Sequence, residues 1–354
     1  MSDSHQHDHL FPGVPLALGS ALLFGASPPV SKLLIGATDP VMLAGLLYLG
    51  AGSGLAAYAL VRRFFGRAKA EAPLRAADLP WLAMAILTGG VAGPLALMFG
   101  LSFTTASSAS LLLNLEGLMT MGIAWIVFHE NVDLRLLVGA GAILAGAVLL
   151  SWQGQDVAFD VGALLVAGAC LAWGIDNNLT RKISASDPVT IAMVKGLVAG
   201  TVNVGLALSY GSTLPSPSLI LASGVTGFVC IGVSLVMFVL ALRHLGTART
   251  GAYYSLAPFI GAVLAVGLLH EPLTLRLAVA AALMGLGLWL HLTERHIHEH
   301  EHEAIEHEHS HVHDEHHQHS HDGPVTEPHT HWHRHEPLRH THAHYPDLHH
   351  QHRH

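Results

Sequence analysis

The chain has 354 residues, of which 51% are hydrophobic and only 12% charged, a balance that excludes an ordinary soluble enzyme and makes lipid the solvent of most of it. Its formal charge of −8 comes largely from acidic residues near the C-terminus, and no basic patch of nucleic-acid type is visible, so that partner is set aside. Composition breaks near Arg295: long apolar runs precede it, whereas 23 of the 30 histidines follow it among Glu, Asp, Pro and Ser with little to bury.

In chain order, residues 1–11 form a short N-terminal tail with His5, His7 and His9. It lacks the basic region of a secretory signal, so the first apolar segment is expected to stay in the mature protein. A helix needs about 20 apolar residues to cross about 30 Å of hydrocarbon. Runs of that length predict ten spans: 12–35, 40–62, 79–101, 105–128, 134–152, 161–181, 188–210, 217–241, 248–269 and 274–293. With the N-terminus in the cytoplasm, Arg62, Arg63, Arg67, Lys69, Arg75, Arg135, Arg181, Lys182, Arg243, Arg249 and Arg295 lie inside. Only Lys32 and Arg276 fall near the other face, so the positive-inside rule places both termini in the cytoplasm. Cys170 and Cys230 both sit in apolar runs, as small buried hydrophobes do, and no disulfide framework or zinc ribbon follows from them.

The sequence repeats itself. At an offset of 141, Leu115 matches Leu256, Glu130 matches Glu271, Leu134 matches Leu275, Arg135 matches Arg276, Leu136 matches Leu277 and Val138 matches Val279. At 148 to 149, Phe24-Gly25 matches Trp173-Gly174, Lys32 matches Arg181, and Asp39-Pro40-Val41 matches Asp187-Pro188-Val189. Each half, 12–152 and 161–293, then holds five spans. An odd number forces the second half to enter the membrane from the opposite face. The predicted fold is therefore an all-α polytopic membrane protein of ten transmembrane helices in two inverted five-helix repeats, followed by a disordered His-rich tail over 296–354. That is transporter architecture, although a duplicated bundle could also serve as a scaffold.

Four segments carry a family resemblance: FGASPPVSK in the first span, ASLLLNLEGLMTMGIAWIVFHE in the fourth, WGIDNNLTRK in the sixth, and ALRHLGTARTGAYYSLAPFIGAVLAVGLLHEPLT from the eighth past the ninth. Across about residues 12 to 293 the chain resembles the EamA-like branch of the drug/metabolite transporter superfamily. The resemblance implies ten spans with both termini cytoplasmic in the inner membrane. It also implies a central cavity for small metabolites, drugs or amino-acid-like solutes, and frequent coupling to ion gradients. The family's Glu-Pro pair in the fourth and ninth spans is divided here: Glu116 stands beside Gly117, and Pro258 follows Ala257.

Intramembrane ionisable groups are costly, by about 2.5–3.5 kcal/mol each on insertion scales, and so require a reason. Glu116 lies midway along the fourth span, about 16 Å from either end, too far for a Glu side chain to reach water by snorkelling. It must face protein or a wet cavity, as a proton carrier coupled to substrate or as a structural carboxylate. Trp173, Asp176, Asn177 and Thr180 fall at i, i+3, i+4 and i+7 of the sixth span and share one face. They either line the pathway opposite Phe24, Ser27, Pro28 and Ser31, or Asp176 simply pairs with Arg181. Lys195 could snorkel to the interface or point inward as the counter-ion of Asp176 or of an anionic substrate, and Lys32 is open to the same two readings. Tyr253 and Tyr254 occupy the positions of Leu112 and Leu113, either lining the opposite wall or packing with one polar tip satisfied. Pro28 and Pro29 are expected to interrupt the first span's ladder, exposing carbonyls to a cavity or only kinking the helix. Glycines in 139–146 and 284–287 of the fifth and tenth helices suit close helix approach, possible sites of a homodimer contact.

The tail offers His298, His300, His302, His307, His309, His311, His313, His316, His317, His319 and His321 beside carboxylates. These are ligands of intermediate softness for Ni, Co, Zn or Cu, in exchangeable rather than closed sites, and no cofactor is required. An enzymatic reading fails, because neither His129-Glu130 nor His270-Glu271 continues into an H-E-x-x-H zinc motif. Three readings stand. The first is a secondary transporter of a small metabolite or drug-like solute working by alternating access. The second is a divalent transition-metal transporter with a delivering tail, and the third a non-transporting metal-sensing scaffold.

Overall fold

The computed structural model describes residues 4–65, 73–128, 134–152, 160–183 and 186–293, and in the tail 297–301, 305–311, 329–335 and 339–343. The membrane part is helical. In chain order the helices are α1 (Ser4–Ile35), α2 (Pro40–Phe64), α3 (Leu79–Ala85), α4 (Gly93–Phe103), α5 (Ala106–Leu112), α6 (Leu115–Phe128) and α7 (Leu134–Ser151). They continue with α8 (Val161–Arg181), α9 (Pro188–Ser209), α10 (Pro217–Thr226), α11 (Ser234–Tyr254), α12 (Ala257–Leu268) and α13 (Leu275–Leu292). A π-helical turn, Ile86–Ala92, joins α3 to α4, and another, Gly227–Val233, joins α10 to α11.

Local chemistry sets the helix starts. Asp39 accepts from the amides of Val41 and Met42 at 3.0 Å, and Pro40 occupies the first turn, where its missing N–H costs nothing. Asp187 and Pro188 repeat the arrangement at α9, with Val189 N at 3.1 Å and Thr190 N at 3.3 Å. Thr274 caps α13 in the same way through Leu277 N.

Among the described residues, eight stretches are long and apolar enough to cross a membrane: Gly13–Ile35, Pro40–Phe64, Ala76–Phe103, Ala106–Val127, Leu134–Ser151, Pro188–Ser209, Pro217–Ala241 and Leu275–Leu292. Two of the ten expected spans fall outside that set. Val161–Arg181 is long enough, but its last turns carry Asp176, Asn177, Asn178 and Arg181; Ala257–Leu268 is apolar but has only 12 residues. The break expected at 242–247 is also absent, because α11 stays helical through it. That segment, Leu-Arg-His-Leu-Gly-Thr, has no proline, and a single Gly does not end a helix. α1 likewise remains helical through Pro28 and Pro29.

Helices pack pairwise: α2 on α9, α1 on α11 and α12, α7 on α13, and α8 between α4 and α6. The main core, including Leu43, Leu47, Met98, Leu101, Leu111, Leu112, Val166 and Met284, lies among these contacts. Glycine permits the closest ones. A Cβ on Gly196 would stand 2.8 Å from the backbone of Gly52, so α2 and α9 could not approach as they do with any larger residue there. The glycines expected to serve a dimer contact are in part occupied inside the chain, since Gly139, Gly146 and Gly287 all lie in the α7–α13 seam, while Gly141 faces open space.

Within the tail, two antiparallel ladders are present among the described residues. Ile297–Glu301 pairs with Arg339–Ala343, and Ile305–His311 with His329–His335. The reason is local: a His-x-His alternation has the two-residue period of a strand. The register sets His298 against His342, His300 against His340, His307 against His333, His309 against His331 and His311 against His329.

Candidate functional site

Proline creates the first element of the site. In the π turn the amide of Gly93 donates to Thr88 O, one residue further back than in an α-helix, and the next residue, Pro94, has no N–H to give to Gly89. The Gly89 carbonyl is left for side chains and accepts from both Tyr48 Oη on α2 and Trp173 Nε1 on α8, each at 3.0 Å. The neighbouring Gly90 carbonyl accepts from Asn203 Nδ2 on α9 at 3.2 Å. Absence of a side chain at Gly89 matters too, because a Cβ there would collide with the Asp176 side chain.

Asp176 is buried, and both its oxygens lie 2.6 Å from Lys195 Nζ on α9. Thr180 Oγ1, one turn on, donates to Asp176 Oδ1 at 2.9 Å. Lys195 therefore points inward to Asp176 rather than to the interface. The expected single face of α8 divides in two. Trp173, Asp176 and Thr180 turn toward the π turn and α9, whereas Asn177 turns toward α6 and donates to Glu116 Oε1 at 3.0 Å and Thr120 Oγ1 at 3.2 Å. Asn178 anchors the same crossing through Thr120 O at 3.1 Å.

The fourth span, expected to be continuous, is broken immediately before its carboxylate. α5 ends at Leu112, Asn114 Nδ2 folds back onto Leu111 O at 2.8 Å, and α6 restarts at Leu115 with Glu116 in its first turn. The turn is tight and hydrogen-bonded through, Asn114 N donating to Leu111 O at 3.1 Å and Glu116 N to Leu113 O at 3.0 Å. The ninth span breaks at the corresponding place, between Tyr254 and Ala257, with Pro258 in the new first turn. Discontinuous helices are how membrane carriers bring polar backbone to a cavity.

Glu116, Tyr48 and Tyr254 are each half-buried among the helices. Asp176 and Lys195 lie within electrostatic range of Glu116, and Tyr254 within range of both Glu116 and Tyr48. Two carboxylates and one ammonium leave one negative charge in excess when all are ionised. Tyr254 meets Phe24 in a tilted contact (ring centroids 5.4 Å apart) and Phe238 edge-on (4.8 Å), giving the site an aromatic side. Tyr253 instead packs near Ala17 and Ala241 on the α1–α11 contact.

Lys32 is not part of this cluster. Its ammonium donates to the carbonyls of Leu101 and Thr104 at the C-terminal end of α4. Of the tail histidines, His302, His313, His316, His317, His319 and His321 lie outside the described residues. For His298, His300, His307, His309 and His311 only the backbone pairing is described. Among the described residues no group of three His, Cys, Asp or Glu could hold a metal ion.

Sequence reasoning missed Tyr48, Thr120, Asn203 and the two open carbonyls. The signal for the carbonyls was present, since Gly89-Gly90 stands four to five residues before a mid-span proline. Nothing marked the hydroxyl and amide residues within otherwise ordinary apolar spans.

The chain matches the EamA-like transporter family twice, over residues 11–152 and 160–293. An uncharacterized transporter of Methanothermobacter thermautotrophicus is 30% identical over 272 residues, covering 72% of this chain and 79% of the relative. A probable amino-acid metabolite efflux pump of Salmonella typhimurium is 26% identical over 275 residues, covering 73% and 87%. A probable terminal-alkyne amino-acid exporter of Streptantibioticus cattleyicolor is 24% identical over 215 residues, covering 56% and 67%. One crystal structure shares the fold, with a TM-score of 0.56 at 20% identity over 78% of this chain and 96% of the other. With eight long apolar helices among the described residues and a family match over both halves, the chain is a multi-pass membrane protein and a member of the EamA-like transporter family.

Proposed function

We propose that this protein is a secondary transporter that moves a small amino-acid-like or related metabolite across the cytoplasmic membrane by alternating access, with Glu116 as its ion-coupling group. The observation that carries the reading is the Asn177 amide, which ties Glu116 on one half-helix to the helix whose Asp176 holds Lys195. A solute bearing an ammonium and a carboxylate would find Glu116 for the first and Lys195 for the second, with the Tyr254 side of the cavity for an apolar group. Two relatives whose names specify amino-acid solutes favour that class.

Alternating access rests on an inverted repeat of ten spans, counting α8 and the α11–α12 region as the sixth and ninth. Three features favour it. The π turns stand 141 residues apart, the helix breaks follow the same register, and Gly174 meets Met119 and Thr120 as Gly25 meets Ala257 and Gly261. The positive-inside pattern favours both termini in the cytoplasm. Reconstitution in proteoliposomes with a panel of radiolabelled amino acids and amines tests the substrate class. Saturable, gradient-dependent flux of zwitterionic members supports it, and flux restricted to other solutes overturns it.

A second reading concerns the tail alone. The alternation of histidine with carboxylate residues in the tail favours binding of Ni, Co, Zn or Cu at exchangeable sites. Metal is here a ligand of the tail. The membrane part supplies too few soft ligands to make metal its cargo.

A further inference from the structure

The turn between α4 and α5 is held from both sides by charges borne on distant parts of the chain. Lys32, on α1, donates to the Leu101 and Thr104 carbonyls that end α4. Glu271, in the turn between α12 and α13, accepts from the amides of Ala106 at 2.7 Å and Ser107 at 2.9 Å, one carboxylate oxygen to each. Helix ends are ordinarily completed by neighbours in sequence, and Thr105 already does so through Ser108 N. The residue that aims Glu271 is itself constrained: His270 has φ 53°, a left-handed conformation unfavourable for a non-glycine residue. Lys32 and Glu271 are also within electrostatic range of each other.

We propose that Lys32 and Glu271 form a clasp that keeps this end of the bundle, the outer end in the orientation proposed above, closed over the cavity. α1, the α4–α5 turn and the α12–α13 turn converge there, and any separation of them breaks charge-assisted bonds on one side of the turn or the other. Ser31 and Ser110, beside Lys32 and within one turn of Ala106 respectively, are fully buried with hydroxyls that have no partner. An opening at this end would let water reach both. Transport through the cavity then requires Glu271 to release the Ala106 and Ser107 amides in each cycle.

The test uses the full-length chain in lipid nanodiscs, with Cys170→Ala and Ser110→Cys, and follows labelling by a polar maleimide at each thiol by mass spectrometry. Native Cys230, buried in the second π turn, serves as the internal control. With Glu271→Gln or Lys32→Met, labelling at position 110 is expected to quicken by about tenfold or more, the scale of one lost charge-assisted hydrogen bond, while Cys230 stays protected. An unchanged rate at position 110, or a rise at Cys230 in step with it, would mean that the two residues only stabilise helix ends, and the clasp is overturned. No solute flux enters this measurement, so it stands or falls separately from the transport reading.

Discussion

Asn177 donates to Glu116 Oε1 at 3.0 Å from the residue next to Asp176, so a side-chain amide joins the Glu116 carboxylate, the proposed coupling group, to the helix that holds the Asp176–Lys195 ion pair. The amide is an exposed, adaptable link, able to follow Glu116 in either protonation state by rotating between its donor and acceptor atoms. Asn177→Ala should lower flux about tenfold while moving thermal stability little, because one part-exposed hydrogen bond contributes about 1 kcal/mol. Flux and melting temperature measured on the same preparation check this.

The Asp176–Lys195 pair makes a different demand. Removing one partner leaves the other charge beside apolar helices, at a cost of about 3 kcal/mol when such a pair is buried. Asp176→Asn and Lys195→Met should each lower the melting temperature more than the double variant does. Equal, additive losses would show that the two residues are not energetically coupled.

Two glycines in the same neighbourhood should respond oppositely. At Gly89 a Cβ meets the Asp176 side chain, which would have to leave Lys195, whereas nothing lies within 4 Å of a Cβ at Gly117. Gly89→Ala should reduce both expression and flux, and Gly117→Ala should be tolerated for folding. Expression level and size-exclusion profile report the difference.

Truncation after residue 295 should abolish binding of Ni or Zn to the purified protein while leaving solute flux unchanged. Titration calorimetry on the full and shortened chains, beside flux in proteoliposomes, would reveal any dependence of transport on the tail.

Much of the fold was legible because lipid imposes length and apolarity on every spanning helix, and because Asp-Pro caps punctuate the chain. The broken fourth span was not. LLLNLEG has no proline, and a leucine-rich run reads the same whether a helix passes through it or restarts within it. The α8 face was only half legible. Adjacent residues differ by about 100° around a helix, enough to send Asp176 to Lys195 and Asn177 to Glu116. Glu271 escaped notice because its partners are backbone amides some 160 residues away, which no local pattern records.

The central role given to Glu116 is tested most directly by comparing gradient-driven accumulation with equilibrium exchange of one amino-acid substrate in proteoliposomes, in the wild type and in Glu116→Gln. Glutamine keeps the acceptor that Asn177 uses but cannot carry a proton. Exchange is expected to persist within a few-fold while accumulation against a gradient is lost by tenfold or more. Accumulation equal to wild type in Glu116→Gln would contradict the assignment and move the coupling to Asp176 and Lys195.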